Sequence, residues 1–375
     1  MPETGHIAVF HPTSDMDLSA LPKERVLIVQ PFAPDHAALV ARGYDCVPEL
    51  PAEARFAAAV VFLSRAKALT RGLLAQAAEL CDGPVLVDGG KTDGVDSVLK
   101  ALRARCEVSA PISKAHGKAF SFDATGTDLS DWQAATTQID GGFQTAPGVF
   151  SADGVDPASA LLVAALPEKP GRNVVDLGAG WGYLSSAVLQ RETVQTLHLV
   201  EADHSALSCA RQNINDPRAQ FHWADARSWQ TTERVDCVIS NPPFHTGRAA
   251  EPSLGQAFIT AASGMLAPAG VFWLVANRHL PYEATLAEQF ATVTEAAGDN
   301  RFKVLQASRP RRHRRWRRRT TKDGSLVSVR SLGCRKEAGR WSVLSVLTEV
   351  IHVFFHFWQN GHRYRLGQWH RLGHW

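Results

Sequence analysis

Nine residues near the middle of the chain, Val174-Val175-Asp176-Leu177-Gly178-Ala179-Gly180-Trp181-Gly182, restrict the fold more than any other stretch. An apolar run without polar alternation reads as a strand buried on both faces. It empties into glycines at every second position, and a helix over residues 183–190 follows. Glycine lets a backbone approach a ligand closely where a helix begins. The pattern then repeats. Strand-like runs at 196–200, 220–226, 235–240, 271–276 and 302–307 alternate with helical stretches at 205–215 and 256–266. Such alternation predicts an α/β fold with a mainly parallel sheet.

The strand ends of this half carry residues suited to a ligand. The run at 196–200 ends in Glu201-Ala202-Asp203, 19 residues beyond Gly182, where a carboxylate accepts hydrogen bonds from a ribose diol. Asp225 closes the next run, within reach of an adenine amino group. The run at 235–240 stops at Asn241-Pro242-Pro243-Phe244-His245. Proline cannot donate to a sheet ladder, so Asn241 sits where a parallel strand runs out, the edge at which open α/β sheets bind ligands. Its amide oxygen and the rigid Pro242 carbonyl can accept the two hydrogens of a planar amino group, while Phe244 stacks on the ring that bears it. A glycine turn followed by an acid also marks dinucleotide sites. Here Tyr183 stands where a third dinucleotide glycine would fall, and a hydride-transfer enzyme has no use for Asn-Pro-Pro-Phe. S-adenosylmethionine (SAM) is therefore the cofactor expected. The alternative without chemistry is a Pro-Pro turn, with Asp176 and Glu201 as ordinary helix-capping carboxylates.

The first half has the same alternation and no complete cofactor site. Its first strand is expected at 26–29, then runs at 44–47, 59–63 and 85–90, with a helix over 67–80. Residues 1–24 carry little pattern. Asp88-Gly89-Gly90-Lys91 reads either as a phosphate-binding turn or as a plain strand-to-helix turn without the P-loop frame. Glycines and turn residues gather at 114–122 and 141–148, which puts a boundary or crossing linker near residue 140. The six cysteines are scattered, with no C-x-x-C pair and no zinc spacing. That suits a reducing cytoplasm and predicts neither a disulfide framework nor a structural metal. The N-terminus lacks the basic start and apolar core of a signal peptide.

The net charge of +3 hides a split. From Arg309 onward the chain carries 16 Lys and Arg against 3 Asp and Glu; the rest carries 24 against 34. The run Arg309-Pro310-Arg311-Arg312-His313-Arg314-Arg315-Trp316-Arg317-Arg318-Arg319 reads as a phosphate-binding arm in which Trp316 stacks on a base. It is too charged to form a core and is expected to be disordered when free. Residues 341–358 are mainly apolar, but Glu349, His352 and His356 interrupt them, so they are too short and polar for a membrane span and suit an interfacial or oligomer-packing helix. The last residues mix His, Arg and Trp without period, a composition that also fits out-of-frame translation.

Asp-x-Gly-x-Gly-x-Gly followed by Asn-Pro-Pro-Phe resembles the signature of class I SAM-dependent methyltransferases that act on planar amino groups. More narrowly, Pro147-Gly148-Val149-Phe150-Ser151, Asp156-Pro157-Ala158-Ser159, Ser240 to His245, Val275 to Tyr282 and Arg301 to Leu305 resemble the bacterial RsmC and RlmG type of ribosomal RNA guanine-N2 methyltransferases. The likeness spans roughly residues 25–308. It implies two tandem Rossmann-like methyltransferase domains and a basic tail. Residues 1–140 would be a degenerate copy that binds and positions RNA, 141–308 the SAM-binding copy, and 309–375 the tail. Carried onto this chain, Asp176, Gly178, Gly180 and Gly182 would contact the methionine end of SAM, Glu201 the ribose and Asp225 the adenine, with Asn241 also touching the cofactor. Asn241, Pro242 and Phe244 would hold the target amine. Phe150, Pro243 and His245 would touch the substrate, His245 at the surface or a base edge rather than as general base.

The expected reaction is methyl transfer to a guanine N2 in ribosomal RNA, small subunit favoured, by a cytoplasmic enzyme that needs no metal and spans no membrane. The substrate base must be unpaired or flipped out. Two alternatives stand beside it: an N-methyltransferase for a protein glutamine or for adenine N6 in DNA, and a non-catalytic RNA-binding assembly factor. The sequence leaves the oligomeric state open.

Overall fold

Runs of Val, Ile, Leu and Ala build two seven-stranded sheets in the computed structural model, which describes residues 1–51, 53–243 and 252–311. The first sheet comprises β1 (Ile7–Phe10), β2 (Val26–Val29), β3 (Asp45–Val47), β4 (Ala58–Phe62), β5 (Pro84–Gly90), β6 (Ile112–Lys114) and β7 (Gly117–Asp123). A two-stranded hairpin, β8 (Thr137–Gln138) and β9 (Gln144–Thr145), separates it from the second. That one comprises β10 (Asn173–Leu177), β11 (Thr196–Glu201), β12 (Ala219–Trp223), β13 (Val235–Ser240), β14 (Leu266–Asn277), β15 (Phe290–Gly298) and β16 (Phe302–Pro310). The spatial orders are β3-β2-β1-β4-β5-β7-β6 and β12-β11-β10-β13-β14-β16-β15. They are one plan used twice: five parallel strands, then an antiparallel pair.

Helices α1 (Ala33–Ala41), α2 (Lys67–Leu80) and α3 (Val95–Arg103) belong to the first half. The second half has α4 (Pro157–Ala165), α5 (Tyr183–Leu189), α6 (His204–Asn213), α7 (Pro252–Met265) and α8 (Tyr282–Gln289). Each sheet is covered on both faces. In β1, Ala8 and Phe10 face one core while Ile7 and Val9 face the other. In β10, Val175 and Leu177 face one core while Val174 faces the other. Burying each large side chain there contributes about 1.5–3 kcal/mol.

The loops that leave β2 and β11 meet head to head. Phe32 bridges Asp203 in antiparallel sense, Ala33 N donates to Ala202 O at 2.8 Å and His204 N to Pro31 O at 2.9 Å. Trp223 Nε1 donates to both Pro31 O and Ala202 O at 2.9 Å. Because β2 and β11 hold the same place in their sheets, like meets like about a local two-fold.

Several sequence expectations are corrected here. The strand at 26–29 is the second, not the first: Ile7–Phe10 precedes it and lies in the middle of the five parallel strands. The turn residues at 114–122 belong to the β6–β7 hairpin, paired to β5; its turn uses positive φ at Ala115 and His116. Arg309 and Pro310 do not begin the tail. They complete β16, and Arg311 N donates to Gln289 O at 2.7 Å. Phe244, His245, the remainder of the basic run and residues 341–358 lie outside the described residues. No helix among the described residues is long and apolar enough to cross a membrane.

Candidate active site

β10 is fixed between β11 and β13, with Leu177 opposite Val200 on one side and Ser240 on the other. The turn that leaves it has φ of +76°, +56° and +94° at Gly178, Gly180 and Gly182. Two of these decide the residue type. Gly182 is the left-handed N-cap of α5, and a Cβ there would come within 2.8 Å of Ile214 Cδ1. Gly180 faces open space, so its backbone is bare toward a ligand. The turn is held from below: Gly178 N donates to Val200 O at 2.9 Å and Gly180 N to Glu201 Oε2 at 2.8 Å. Glu201 Oε1 accepts from Asp203 N at 2.8 Å, so one carboxylate ties the glycine turn to its own loop.

The acids of the site differ in state. Asp176 is fully buried beneath the turn and accepts from Ser185 Oγ at 2.7 Å. Burial pushes its carboxyl up to about 7; the Ser185 hydrogen bond opposes this and the nearby charge of Glu201 reinforces it. Burial likewise raises Glu201, against the N–H groups of Asp203 and Gly180 that stabilise its charge. Asp176 Oδ1 has no hydrogen-bond partner among the described residues. Asp225 is different. Arg227 Nε and Nη2 grip both of its oxygens at 2.7–3.0 Å. Burial disfavours its charge, but the Arg227 bonds outweigh burial and hold its carboxyl below the usual range.

Ser240 Oγ donates to Leu177 O at 2.7 Å and pins the end of β13 to the end of β10. Asn241 follows. Its Nδ2 donates to Asp156 Oδ2 at 2.9 Å and to Ser159 Oγ at 2.8 Å. Its Oδ1 is shielded from solvent and has no hydrogen-bond partner among the described residues. Pro242 behind it is buried and Pro243 exposed. Asn241, Asp156 and Ser159 line one cavity with Gly178, Gly180 and Phe150. Phe150 is 60% exposed at this wall, and its carbonyl accepts from Trp181 Nε1 at 3.0 Å. Asn213 straps the preceding segment to the turn through Gln144 N, Gln144 O and Trp181 O.

The structure thus joins Asn241, Gly178, Gly180 and Phe150 around one space. Glu201 reaches that wall through Gly180, Asp176 and Gly182 support it from beneath, and Asp225 stands at the end of the neighbouring β12–Arg227 turn. Sequence reasoning missed the roles of Asp156, Ser159 and Ser185. The signal available for the first was Asp156-Pro157, an N-cap followed by proline at the first helical position, and Asp156 does cap α4 through Ser159 N.

Residues 140–306 match the family model "Methyltransferase small domain". The ribosomal RNA small subunit methyltransferase C of Shewanella sp. (strain MR-4) is 32% identical over 269 residues, covering 68% of this chain and 78% of that protein. Its namesake in Shewanella piezotolerans is 33% identical over 310 residues, covering 79% and 89%. The chain belongs to the ribosomal RNA small subunit methyltransferase C (RsmC) family. Among solved structures, the T. thermophilus 16S rRNA N2 G1207 methyltransferase (RsmC) in complex with AdoMet and guanosine matches with a TM-score of 0.70 at 26% identity, covering 82% of this chain and 89% of that one. The matched segment 140–306 takes in the whole cavity of this RsmC-family chain, from the strap below Phe150 to Asn241.

Proposed function

We infer that this chain transfers the methyl group of SAM to the exocyclic N2 amino group of a guanine in small-subunit ribosomal RNA. One observation carries the reading: Asn241, whose carboxamide oxygen has no partner among the described residues, lines one cavity with Gly178 and the open backbone of Gly180. Family membership sets aside a protein glutamine, a DNA adenine and the non-catalytic factor.

The residues present fit a cationic cofactor. Two buried carboxyls, Asp176 and Glu201, are both raised by their surroundings, and Asp176 keeps an unpartnered oxygen. A positive group nearby would relieve both. Gly178, Gly180 and Gly182 would lie along the methionine end, Glu201 at the ribose and Asp225 at the adenine, with Arg227 yielding one of its bonds. SAM supplies a methyl group on a sulfonium, already a strong electrophile. The protein's work is alignment. Asn241 Oδ1 and the Pro242 carbonyl accept the two amino hydrogens, which favours a pyramidal nitrogen and frees a lone pair otherwise shared with the ring. That is stabilisation specific to the transition state. Phe244 and Phe150 offer aromatic faces for a base taken out of its stack, each such contact being worth about 1–3 kcal/mol. Pro243 and His245 flank the base.

Residues 1–140 act in this reading as a copy without a cofactor site that positions RNA, residues 141–311 as the catalytic copy, and the basic stretch after Arg311 as an RNA arm. The workplace is the cytoplasm, where ribosomal subunits are assembled. Mapping N2-methylguanosine in ribosomal RNA from cells with and without the protein tests the reaction. A single guanine should lose its methyl group in the deletion strain; an unchanged map rejects the reading.

A further inference from the structure

We propose that Asp156 and Ser159 are positioning residues that fix which end of the Asn241 carboxamide faces the cavity, and so restrict the acceptor to an atom that carries hydrogen. This rests on the reading above and deepens it. The two ends of a carboxamide are alike in shape and opposite in sense: one donates two hydrogen bonds, the other only accepts. Which end meets the substrate is decided by what holds the other. Here both Nδ2 hydrogens are committed, one to Asp156 Oδ2 at 2.9 Å and one to Ser159 Oγ at 2.8 Å. Turned about, the amide would set its oxygen against a carboxylate oxygen and present an NH₂ group to the cavity, which an incoming amine cannot satisfy.

The lock is built from a single helical turn. Asp156 Oδ2 also accepts from Ser159 N at 2.8 Å, capping α4, and Pro157 at the first helical position presets the backbone. Ser159 is buried. Both partners of Nδ2 therefore sit on one rigid element, 85 and 82 residues away in sequence from the group they hold. Asp156 has a second effect. A carboxylate drawing on the N–H end polarises the amide and makes Oδ1 a stronger acceptor. Among the described residues, Oδ1 is the atom left without a partner. An ordinary helix cap has no need to engage a residue on the adjoining strand end.

The test exploits symmetry. A carboxylate at position 241 presents an acceptor whichever way it turns, and so needs no lock. Turnover and KM would be measured on undermethylated small subunits, SAM affinity by calorimetry and Tm by calorimetric scan. For Asp156→Ala/Ser159→Ala, kcat should fall at least 100-fold while SAM Kd stays within threefold. Asp156→Asn, whose amide oxygen can still accept and cap, should stay within tenfold of wild type. Adding Asn241→Asp to the double variant should recover at least fivefold of the lost kcat. Ser159→Ala alone keeps the cap and should lower kcat about tenfold with Tm unchanged, which guards against a double variant that does not fold. Wild-type kcat in the double variant and in Ser159→Ala would overturn the inference. So would a matching loss of SAM affinity, or no recovery with Asn241→Asp. If wild type itself methylates no guanine, the functional reading fails instead.

Discussion

The two sheets share strand order and register, yet they carry different residues at their carboxyl edges. Phe10 pairs with Val29 and Val61, as Leu177 pairs with Val200 and Ser240. Aligned on those pairs, Val9 stands in the place of Asp176, Gln30 in that of Glu201 and Phe62 in that of Asn241. His11-Pro12 replaces the start of the glycine turn, and β1 runs on to β2 with only a three-residue 3₁₀ turn, Lys23–Arg25, where the second half has α5. The pair Gln30 and Glu201 is the most instructive. Each side chain accepts from the N–H two residues on, Phe32 N at 2.9 Å and Asp203 N at 2.8 Å. Each also reaches back to the turn after the central strand. Glu201 accepts there from Gly180 N, whereas Gln30 donates to Pro12 O at 2.7 Å. The scaffold keeps its tie, and the amide spares it a buried charge.

Three substitutions in the second sheet would break or sharpen the contrast, two of them by writing in the residue that the first sheet carries. Asn241→Phe should have the largest effect, lowering methyl transfer at least 1,000-fold, about 4 kcal/mol in transition-state energy, while Phe62→Ala leaves kcat within twofold. Comparable losses from both would mean that the first sheet is catalytic too. Asp176→Asn comes next and reads out in stability. The folded-state value of Asp176 is raised to about 7 from an ordinary 3.8. The folded state therefore binds the extra proton, and stability is fullest below about pH 4 and lost as pH rises toward 7. The variant should flatten that slope, with a gain at pH 8 of at most about 4 kcal/mol in the ligand-free protein and none at pH 4, together with weaker SAM binding. A denaturation series across pH checks it, and an unchanged slope refutes the assignment. Glu201→Gln should weaken SAM binding about tenfold, or roughly 1.4 kcal/mol. Gln30→Glu should leave SAM affinity alone and cost about 1–3 kcal/mol of stability through the lost donor to Pro12. Calorimetry that finds the reverse would invert the roles of the two sheets.

Much of the second half was legible because its strands are continuous apolar runs, and because glycine spacing and a double proline leave marks at known places in such sheets. β1 was not, since four apolar residues among polar ones give no period and only its two neighbours make it central. The link between Asp156 and Asn241 was invisible for a different reason: it spans 85 residues and depends on how α4 packs beside β13. The contact of Pro31–Ala33 with Ala202–His204 is mostly backbone to backbone, and apart from Trp223 it leaves little side-chain signature. α8 and β15, with Tyr282 and Phe290 fully buried, lie in a stretch whose alanines and glutamates suit either structure.

The account turns on a carboxamide oxygen that receives one amino group of a guanine. Undermethylated small subunits incubated with SAM and either the wild-type chain or Asn241→Ala, then digested to nucleosides and analysed by mass spectrometry, test it directly. The wild-type digest should gain N2-methylguanosine, and the variant should gain none while binding SAM within twofold of wild type. A methyl group found at another position of the base, or equal N2 methylation by the variant, would contradict it.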